Sequence, residues 1–341
     1  MPLSLAAEVI RLRTRHPFVI ARGGSSDYRV VWVRLTDDEG REGWGEADPS
    51  AYYGETADTV LATLERLRTL LPADPFQLET AESAFRGRVD PARTGAARAA
   101  LSVALHDLAA KRAGLPLWRL WGLDRARAPR SSFTIGLDSP EVMRRKIAEA
   151  EPYPILKIKL GTDRDEEILR TVRDATDKPL RVDANGGWTR ERALAMLPRL
   201  REFGVEFVEQ PLPPADLEGI AAVRRAGVLP VVVDESCIVA ADIPRVAAAA
   251  DGINIKLAKC GSLREALRMI ATARAFGMLV MVGCMIESSL GITAAAHLTP
   301  LVDAADLDGA ALTANDPFVG ATIDGGQICL PDEPGLGVRR R

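Results

Sequence analysis

From residue 131 onward, short apolar runs alternate with longer segments whose apolar residues have the spacing of amphipathic helices. Eight such runs follow one another with a helical segment between them, and this alternation predicts an α/β fold of the (β/α)₈ barrel type. The eighth run is the weakest, so the count of eight depends on it. The predicted strands are 131–135, 154–159, 179–183, 205–209, 230–234, 252–256, 278–284 and 301–306.

Before residue 128 the pattern is that of an antiparallel sheet followed by helices. Residues 28–35 alternate apolar and polar side chains, a polar turn follows, and residues 42–47 predict the second strand of a hairpin. Residues 56–71 and 95–113 have helical apolar spacing, and the second of these segments is rich in alanine. These elements predict an α+β domain of ordinary size.

The change of pattern divides the chain into three parts. We predict an α+β domain at residues 1–127 and a β/α barrel at residues 128–312. Residues 313–341 are rich in Gly and Pro and have no place in the barrel, so we expect them to return to the N-terminal domain and complete it.

Composition and net charge indicate what kind of molecule the protein binds. The 341 residues are 47% hydrophobic and 27% charged, and the net charge of -3 argues against a surface for nucleic acid or for a membrane. No run approaches the ~18 apolar residues of a membrane-spanning helix, and the first residues lack a signal-peptide pattern. We therefore expect a cytoplasmic protein that binds a small molecule.

Cysteine and histidine usage excludes some chemistry. The four cysteines are scattered without a paired motif, which argues against a disulfide framework or a zinc site. Only three histidines are present, and His297 lies in an alanine-rich helical run where we expect it to be packed. Because histidine is the usual proton shuttle, another residue type has to carry any proton transfer.

Three acids end consecutive predicted strands. Asp183, Glu209 and Asp234 close the third, fourth and fifth strands at separations of 26 and 25 residues, one β/α repeat each time. All three should project at the carboxyl mouth of the barrel, where a cation is needed to hold them together. Oxygen ligands favour Mg²⁺, with Mn²⁺ as an alternative. The competing interpretation is that each acid caps a helix or pairs with a surface arginine.

Lysines flank these acids. Lys157 and Lys159 are two apart on the second strand and face the same side, and Lys256 ends the sixth strand. Crowding of lysines beside a cation should lower the lysine pKa, so that a neutral amine serves as a base. Amines on two sides of one carbon predict removal and return of a proton beside a carboxylate, which inverts the carbon. Lys259, at the start of the next loop, is interpreted as a surface residue.

Taken together, these segments resemble the enolase superfamily in its muconate-lactonising-enzyme-like subgroup, over nearly the whole chain. The resemblance implies that an N-terminal capping domain closes loops at about 16–28 and 48–55 over a barrel active site. It also implies that the barrel is a modified form of the TIM type. The matching segments are KIKLG (157–161), DANGGW (183–188), VEQPLP (208–213), DES (234–236), NIKLAKCG (254–261) and GCMIESSLGIT (283–293).

The resemblance also assigns roles to single residues. It implies that the three acids are the magnesium ligands and that Lys159 and Lys256 are the acid/base pair, acting through an enediolate intermediate. Lys157 would support Lys159 and contact the substrate carboxylate. Further implied residues are the substrate contacts Thr134 and Arg22 and the supporting residues Glu235 and Asn185.

Within the subgroup, the chain is most similar to dipeptide epimerases of the L-Ala-D/L-Glu type. Asp306 and Asp308 form an Asp-x-Asp pair at the eighth strand that would bind the α-ammonium group of a dipeptide; the alternative is an ordinary turn. The implied reaction is magnesium-dependent epimerisation of L-Ala-L-Xaa to L-Ala-D-Xaa. Arg22 and Tyr52 lie on the expected lid loops, and Tyr52 is interpreted as exposed.

Other activities on the same scaffold stay open. An o-succinylbenzoate synthase or N-succinylamino acid racemase would use the same lysines and metal, but its substrate has no free ammonium for Asp306 and Asp308. A muconate cycloisomerase and a non-catalytic metal-binding barrel are further alternatives. A histidine-based dehydratase is disfavoured because Cys284 ends the seventh strand. The second residue of the dipeptide is not determined, and a homo-oligomer is compatible with the resemblance.

Overall fold

The computed structural model describes residues 3–341, and its N-terminal part is a three-stranded antiparallel sheet covered by helices. The predicted hairpin is confirmed as the second and third strands of this sheet. The first strand was not predicted, because its polar and apolar residues do not alternate regularly. The elements are β1 (Ser4–Ile20), β2 (Gly23–Thr36), β3 (Glu42–Ala47), α1 (Ala57–Leu67), α2 (Leu78–Arg88), α3 (Gly95–Arg112) and α4 (Leu117–Leu120), with 3₁₀ turns at Ala51–Tyr53, Arg68–Leu70, Pro91–Arg93 and Arg125–Arg127.

The alanine-rich helix α3 packs directly on the sheet. Val31, Val33 and Leu35 alternate along β2 and are buried in one apolar cluster with α3. Gly45 of β3 permits the close approach, since a Cβ atom there would lie 2.1 Å from the carbonyl oxygen of Ala100. This packing holds the sheet against the helices.

The prediction that residues 16–28 form a loop over the site has to be corrected. These residues form the end of the hairpin between β1 and β2, with Ala21 and Arg22 at its turn. The pairing register shifts between Arg13 and Phe18, which bends the hairpin. The segment that faces the barrel is therefore hydrogen-bonded sheet, in contrast to a free loop.

The barrel has eight parallel strands in chain order. A bridge between Ser131 and Ala305 and a 3.1 Å hydrogen bond from Ser132 N to Ala305 O join the last strand to the first. The predicted barrel is confirmed, including its weak eighth strand. The strands are β4 (Phe133–Ile135), β5 (Leu156–Lys159), β6 (Leu180–Asp183), β7 (Val205–Glu209), β8 (Val231–Val233), β9 (Gly252–Ile255), β10 (Leu279–Gly283) and β11 (Ala304–Asp306).

Helices follow the strands, and side-chain caps begin several of them. The connection from β8 to β9 departs from regularity, because it holds only a 3₁₀ turn at Ala240–Asp242 and one short helix. The helices are α5 (Pro140–Glu149), α6 (Asp165–Ala175), α7 (Arg190–Glu202), α8 (Leu217–Arg225), α9 (Ile243–Val246), α10 (Leu257–Cys260), α11 (Leu263–Ala275), α12 (Ser289–Ala296) and α13 (Gly309–Leu312), with a 3₁₀ turn at Thr299–Leu301. Within residues 3–341, no helix is long and apolar enough to cross a membrane.

The C-terminal segment contacts both parts of the chain. Ala314 N donates to Arg13 O of β1 at 2.7 Å, and Leu336 N donates to Asp107 Oδ1 of α3 at 2.7 Å. Ala321 N also donates to a threonine of α12. The domain boundaries at residues 127 and 312 stay a prediction. The strands here are β12 (Phe318–Val319), β13 (Thr322–Asp324), β14 (Gln327–Cys329) and β15 (Arg339–Arg340).

Glu46 of β3 links the N-terminal sheet to the barrel. It accepts hydrogen bonds from Ser288 N at 2.8 Å and from the Ser288 hydroxyl. Burial, together with the nearby Glu287 carboxylate, raises the pKa of Glu46 to about 8, although the bonds from Ser288 oppose this shift.

This raised pKa makes stability depend on pH. Folded Glu46 keeps its proton up to about pH 8 and unfolded Glu46 loses it near its ordinary pKa of 4.5, so its contribution to stability falls as pH rises between these values. Glu46→Gln cannot ionise. We expect the Tm difference, variant minus wild type, to increase between about pH 5 and about pH 8 in calorimetry. A constant difference across this range would contradict the prediction.

Candidate active site

A cavity of about 460 Å³ lies at the carboxyl mouth of the barrel, beneath the N-terminal sheet. Strand ends of the barrel form its floor, with lysine and acid side chains. The β1–β2 hairpin and residues 48–53 form its upper wall, so both segments predicted to cover the site do line it. Because both parts of the chain line the cavity, a ligand bound there would contact the barrel and the N-terminal domain together.

The three predicted acids come together below this cavity. Asp183 and Glu209 are register partners at the ends of β6 and β7, and Asp234 follows β8 directly. All three are at most 1% exposed. Asn185 N donates to Asp183 Oδ1 at 2.8 Å, and Asn254 Nδ2 donates to Glu209 Oε1 at 2.8 Å. Two of the acids are thus oriented by neutral donors, one from the turn directly after β6 and one from β9.

Lys157 lies at the centre of the acids. Its Nζ is 2.7 Å from Glu209 Oε2, 3.3 Å from Asp183 Oδ2 and 2.9 Å from Asp306 Oδ2. One ammonium group therefore bridges carboxylates from three strands, and buried charges need such partners.

Lys159 and Lys256 contact the acids from opposite sides of this group. Lys159 Nζ donates to Asp183 Oδ2 at 2.6 Å, and Lys256 Nζ lies 2.8 Å from Asp234 Oδ2. Lys159 is on β5 and Lys256 follows β9. Both line the cavity, and three intervening strands separate them. The structure thus brings the two predicted amines to the same cavity from separate parts of the barrel.

The lowering of lysine pKa expected beside a divalent cation stays a prediction. The ion pairs between the lysines and the acids act in the opposite direction. Burial alone would lower the pKa of Lys157, but the surrounding carboxylates, Asp306 foremost, raise it well above its ordinary value. Burial would likewise lower the pKa of Lys256, and the Asp234 carboxylate raises it instead. The prediction considered repulsion between lysines and a cation. It did not include ion pairs between each lysine and the acids.

The donor set fits a hard divalent cation. Glu209 Oε2 and Asp234 Oδ1 are buried acceptors that receive no hydrogen bond and contact only the charged ends of lysines. No three acid, cysteine or histidine groups in residues 3–341 are already arranged around a common ion position. An ion would therefore have to displace ammonium groups from the carboxylates. The all-oxygen donors and their mutual repulsion suit Mg²⁺.

Asp306 and Asp308 lie at the end of the eighth strand, on the cavity wall. Asp306 Oδ1 accepts from Ser132 Oγ at 2.7 Å and from Thr134 Oγ1 at 3.3 Å, so it is held by β4 as well as by Lys157. Asp308 Oδ2 accepts from Thr134 N at 2.5 Å. Burial, followed by repulsion from Asp306, raises the pKa of Asp308 to about 7. A cation bound between the two carboxylates would relieve this repulsion.

Arg22, at the turn of the β1–β2 hairpin, reaches the barrel mouth. Its Nη1 donates to Asn185 O at 2.5 Å and its Nη2 to Glu235 Oε1 at 2.7 Å. The guanidinium carbon also lies 4.4 Å from the centre of the Tyr52 ring. Tyr52 is 46% exposed, in line with its interpretation as an exposed residue, and it also lines the cavity. Arg22 therefore joins both covering segments to the strand ends that carry Asp183 and Asp234.

Lys259 was interpreted as a surface residue, and this is wrong. It is 3% exposed, and its Nζ contacts Asp234 Oδ1 and donates to three backbone carbonyls. Its position, three residues after Lys256, was the available signal, because that spacing brings side chains together once a helix follows the strand. Sequence analysis also missed Asn254, whose polar side chain in the middle of a buried strand needed a partner.

The backbone at the mouth is unusual at two positions. Asn185 has φ 48° and Gln210 has φ 35°, and within residues 3–341 these are the non-glycine residues with positive φ. The Gln210 side chain accepts from Asp234 N at 3.0 Å and donates to Ser236 Oγ at 2.9 Å. These turns lie beside the acids and fix how the chain leaves β6 and β7.

The histidines of the described chain lie away from this cavity. His297 is buried, with Nε2 3.1 Å from Leu336 O, as expected for a packed residue. His106 and His16 belong to the N-terminal part, where His106 Nδ1 is 2.8 Å from Ser102 O. Cys284, on the cavity wall, occupies the end of the seventh strand. Within residues 3–341, the cavity lining thus contains lysines and acids but no histidine.

Family models cover both parts of the chain. Residues 6–122 match the model described as mandelate racemase/muconate lactonizing enzyme, N-terminal domain, and residues 141–341 match the enolase C-terminal domain-like model. The chain belongs to the mandelate racemase/muconate lactonizing enzyme family. The resemblance to the enolase superfamily is thereby confirmed.

Relatives of this family member include named epimerases. The L-Ala-D/L-Glu epimerase of Bacteroides thetaiotaomicron is 44% identical over 96% of this chain and 86% of its own. The hydrophobic dipeptide epimerase of Roseobacter litoralis is 40% identical over 96% of each chain. The structure of the Enterococcus faecalis dipeptide epimerase with Mg and L-Leu-L-Tyr has a TM-score of 0.93, with 32% identity over 99% of both chains. This member of the family is an isomerase of the epimerase and racemase type.

Proposed function

We propose that the chain epimerises dipeptides at their second residue by a two-lysine proton transfer that requires Mg²⁺. The observation that carries the proposal is the placement of Lys159 and Lys256 on separate sides of one cavity, above three buried carboxylates. Relatives named dipeptide epimerases support the substrate class, and the magnesium complex of the Enterococcus faecalis enzyme supports the ion.

The three acids would hold the ion. Asp183, Glu209 and Asp234 supply oxygen donors, and Mg²⁺ bound there supplies positive charge against the carboxylate of the substrate. Displacement of lysine ammonium groups from these acids would leave Lys157 free to contact the same substrate carboxylate. Mn²⁺ has similar ligand preferences and is the alternative ion.

The two lysines would move the proton. One amine removes the proton from the α-carbon of the second residue, and the substrate becomes an enediolate. The ammonium of the other lysine returns a proton to the opposite face, so the carbon is inverted and the protons balance. In the reverse direction Lys159 and Lys256 exchange roles. The cover formed by the hairpin and residues 48–53 keeps water from the deprotonated carbon.

Asp306 and Asp308 would bind the free ammonium group of the dipeptide. Asp306 already contacts Lys157, Ser132 and Thr134. Asp308 is repelled by the Asp306 carboxylate, and a bound ammonium group would offset this repulsion. An ammonium group in a buried place needs such carboxylate partners. An N-succinylated amino acid, the substrate of the rival racemase, offers no cation to this pair.

A substrate panel in D₂O tests the proposal. We expect L-Ala-L-Xaa dipeptides with Mg²⁺ to exchange the α-hydrogen of the second residue and to form the L,D isomer, as followed by proton NMR. The N-acetylated form of the best dipeptide, which has lost only the ammonium charge, should react at least tenfold more slowly because a charged contact is lost. Exchange of N-succinylamino acids without exchange of dipeptides would contradict the dipeptide assignment and would favour the racemase.

The variant Asp308→Asn tests the ammonium site directly. We expect kcat/KM for the best dipeptide to fall by about 10- to 100-fold, because a charge-assisted contact worth about 1.5–3 kcal/mol is lost. Asp303→Asn is the matched control, since Asp303 pairs with Arg274 at the opposite end of β11. Equal kcat/KM in wild type and Asp308→Asn would remove this role.

A further inference from the structure

Lys259 is a buried lysine that takes no part in the proposed proton transfer. It lies in the one-turn helix α10, directly after β9, and is 3% exposed. Its Nζ donates to Asp234 O at 2.7 Å, to Asn254 O at 3.0 Å and to Cys237 O at 3.3 Å. An ammonium group has three N–H donors, so these carbonyls occupy all of them.

The charge held in this way faces one of the three acids. Lys259 Nζ contacts Asp234 Oδ1, while Lys256 Nζ is 2.8 Å from Asp234 Oδ2. Each oxygen of this carboxylate has one ammonium partner. The two lysines therefore differ: Lys256 lines the cavity, whereas Lys259 is fixed between the ends of β8 and β9.

We propose that Lys259 is a positioning residue whose fixed ammonium orients the Asp234 carboxylate for a divalent cation. The inference rests on the proposed function, since it concerns the same ion. Its geometric basis is the cage of three carbonyls. Because three backbone carbonyls hold the Lys259 ammonium in place, this ammonium fixes the position of the Asp234 carboxylate that contacts it.

Two effects of Lys259 on ion binding oppose each other. Its positive charge repels a dication, so removal of the charge alone should strengthen Mg²⁺ binding. Its contact fixes the Asp234 side chain and joins two strand ends, so removal of the contact should weaken binding. Loss of groups that orient metal ligands typically costs 10- to 100-fold in metal affinity. We infer that orientation dominates, because the buried Asp234 carboxylate would otherwise have only Lys256 as a charged partner.

The test is the Mg²⁺ dissociation constant of folded Lys259→Met, measured by isothermal titration calorimetry on the full chain. We expect it to rise by about 10- to 100-fold, while kcat at saturating Mg²⁺ changes much less than the dissociation constant. Lys178→Met is the matched control, because Lys178 also donates to backbone carbonyls, those of Ala150 and Glu151, but contacts none of the acids. Its Mg²⁺ affinity should equal that of the wild type.

Lys259→Gln provides a second variant if the methionine variant does not fold. Its shorter amide keeps donors for some of the carbonyls but loses the contact that fixes the Asp234 carboxylate, so we expect weaker Mg²⁺ binding than wild type by a smaller factor. A merely structural role would lower Tm and leave the dissociation constant of the folded protein unchanged. Equal or tighter Mg²⁺ binding in either folded variant overturns the positioning role alone, whereas a wild type that binds no Mg²⁺ overturns the proposed function as well.

Discussion

Lys159→Met is expected to reduce epimerisation by about three orders of magnitude, the middle of the range for a lost general acid or base. Lys159 Nζ lies at the cavity, 2.6 Å from Asp183 Oδ2, and methionine removes the amine while it keeps a chain of similar length. Because Lys256 remains, α-hydrogen exchange in D₂O should persist for one of the two stereoisomers and disappear for the other. Lys256→Met should show the reverse selectivity.

The measurement is proton NMR of the separate L,L and L,D dipeptides in D₂O. Lys146→Met is the matched control, since Lys146 is also buried but pairs with Asp138 before α5 and does not line the cavity. It should retain activity near that of the wild type. Full epimerisation by Lys159→Met, or equal exchange of both isomers, would remove Lys159 from the chemistry.

Asp183→Asn is the second substitution with a large expected effect. Asp183 is buried, contacts Lys157 and Lys159, and is the register partner of Glu209. An amide supplies a neutral oxygen in place of a carboxylate, so we expect Mg²⁺ affinity to fall by 10-fold or more and kcat/KM by at least about 100-fold. A chelator should abolish the activity of the wild type, and added Mg²⁺ should restore it.

The control for this substitution lies at the opposite end of the barrel. Asp251 precedes β9, accepts from Val231 N at 2.9 Å and pairs with Arg224. Asp251→Asn makes the same chemical change away from the cavity and should leave the Mg²⁺ dependence of activity unchanged. Wild-type activity that persists after complete metal removal would contradict the role of the acids.

The barrel could be predicted from the sequence because its signal is local and repeated. Each strand is a short apolar run, and its helix follows at a regular interval. Each strand can therefore be predicted independently of the others. β1 could not be predicted in this way. It gains its partner β2 through a hairpin whose register shifts between Arg13 and Phe18, and tertiary pairing overrides its irregular pattern.

The acids and lysines of the site could be placed because strand register is periodic. Asp183, Glu209 and Asp234 recur at one β/α unit, and parallel strands bring such positions to one edge. The residues that contact these acids from other strands were harder to predict. Lys259 and Asn254 contact acids from other strands, at sequence separations of 25 and 45 residues, and no local pattern reports such contacts. The direction of the lysine pKa shifts depended on the same missing distances.

A crystal structure with Mg²⁺ and a slowly reacting dipeptide tests most directly whether two amines flank one carbon. We predict that Lys159 Nζ and Lys256 Nζ lie on opposite faces of the α-carbon of the second residue, each at roughly 3–3.5 Å, with the ion between Asp183, Glu209 and Asp234. Both amines on the same face, or an ion bound elsewhere, would contradict epimerisation by these two lysines.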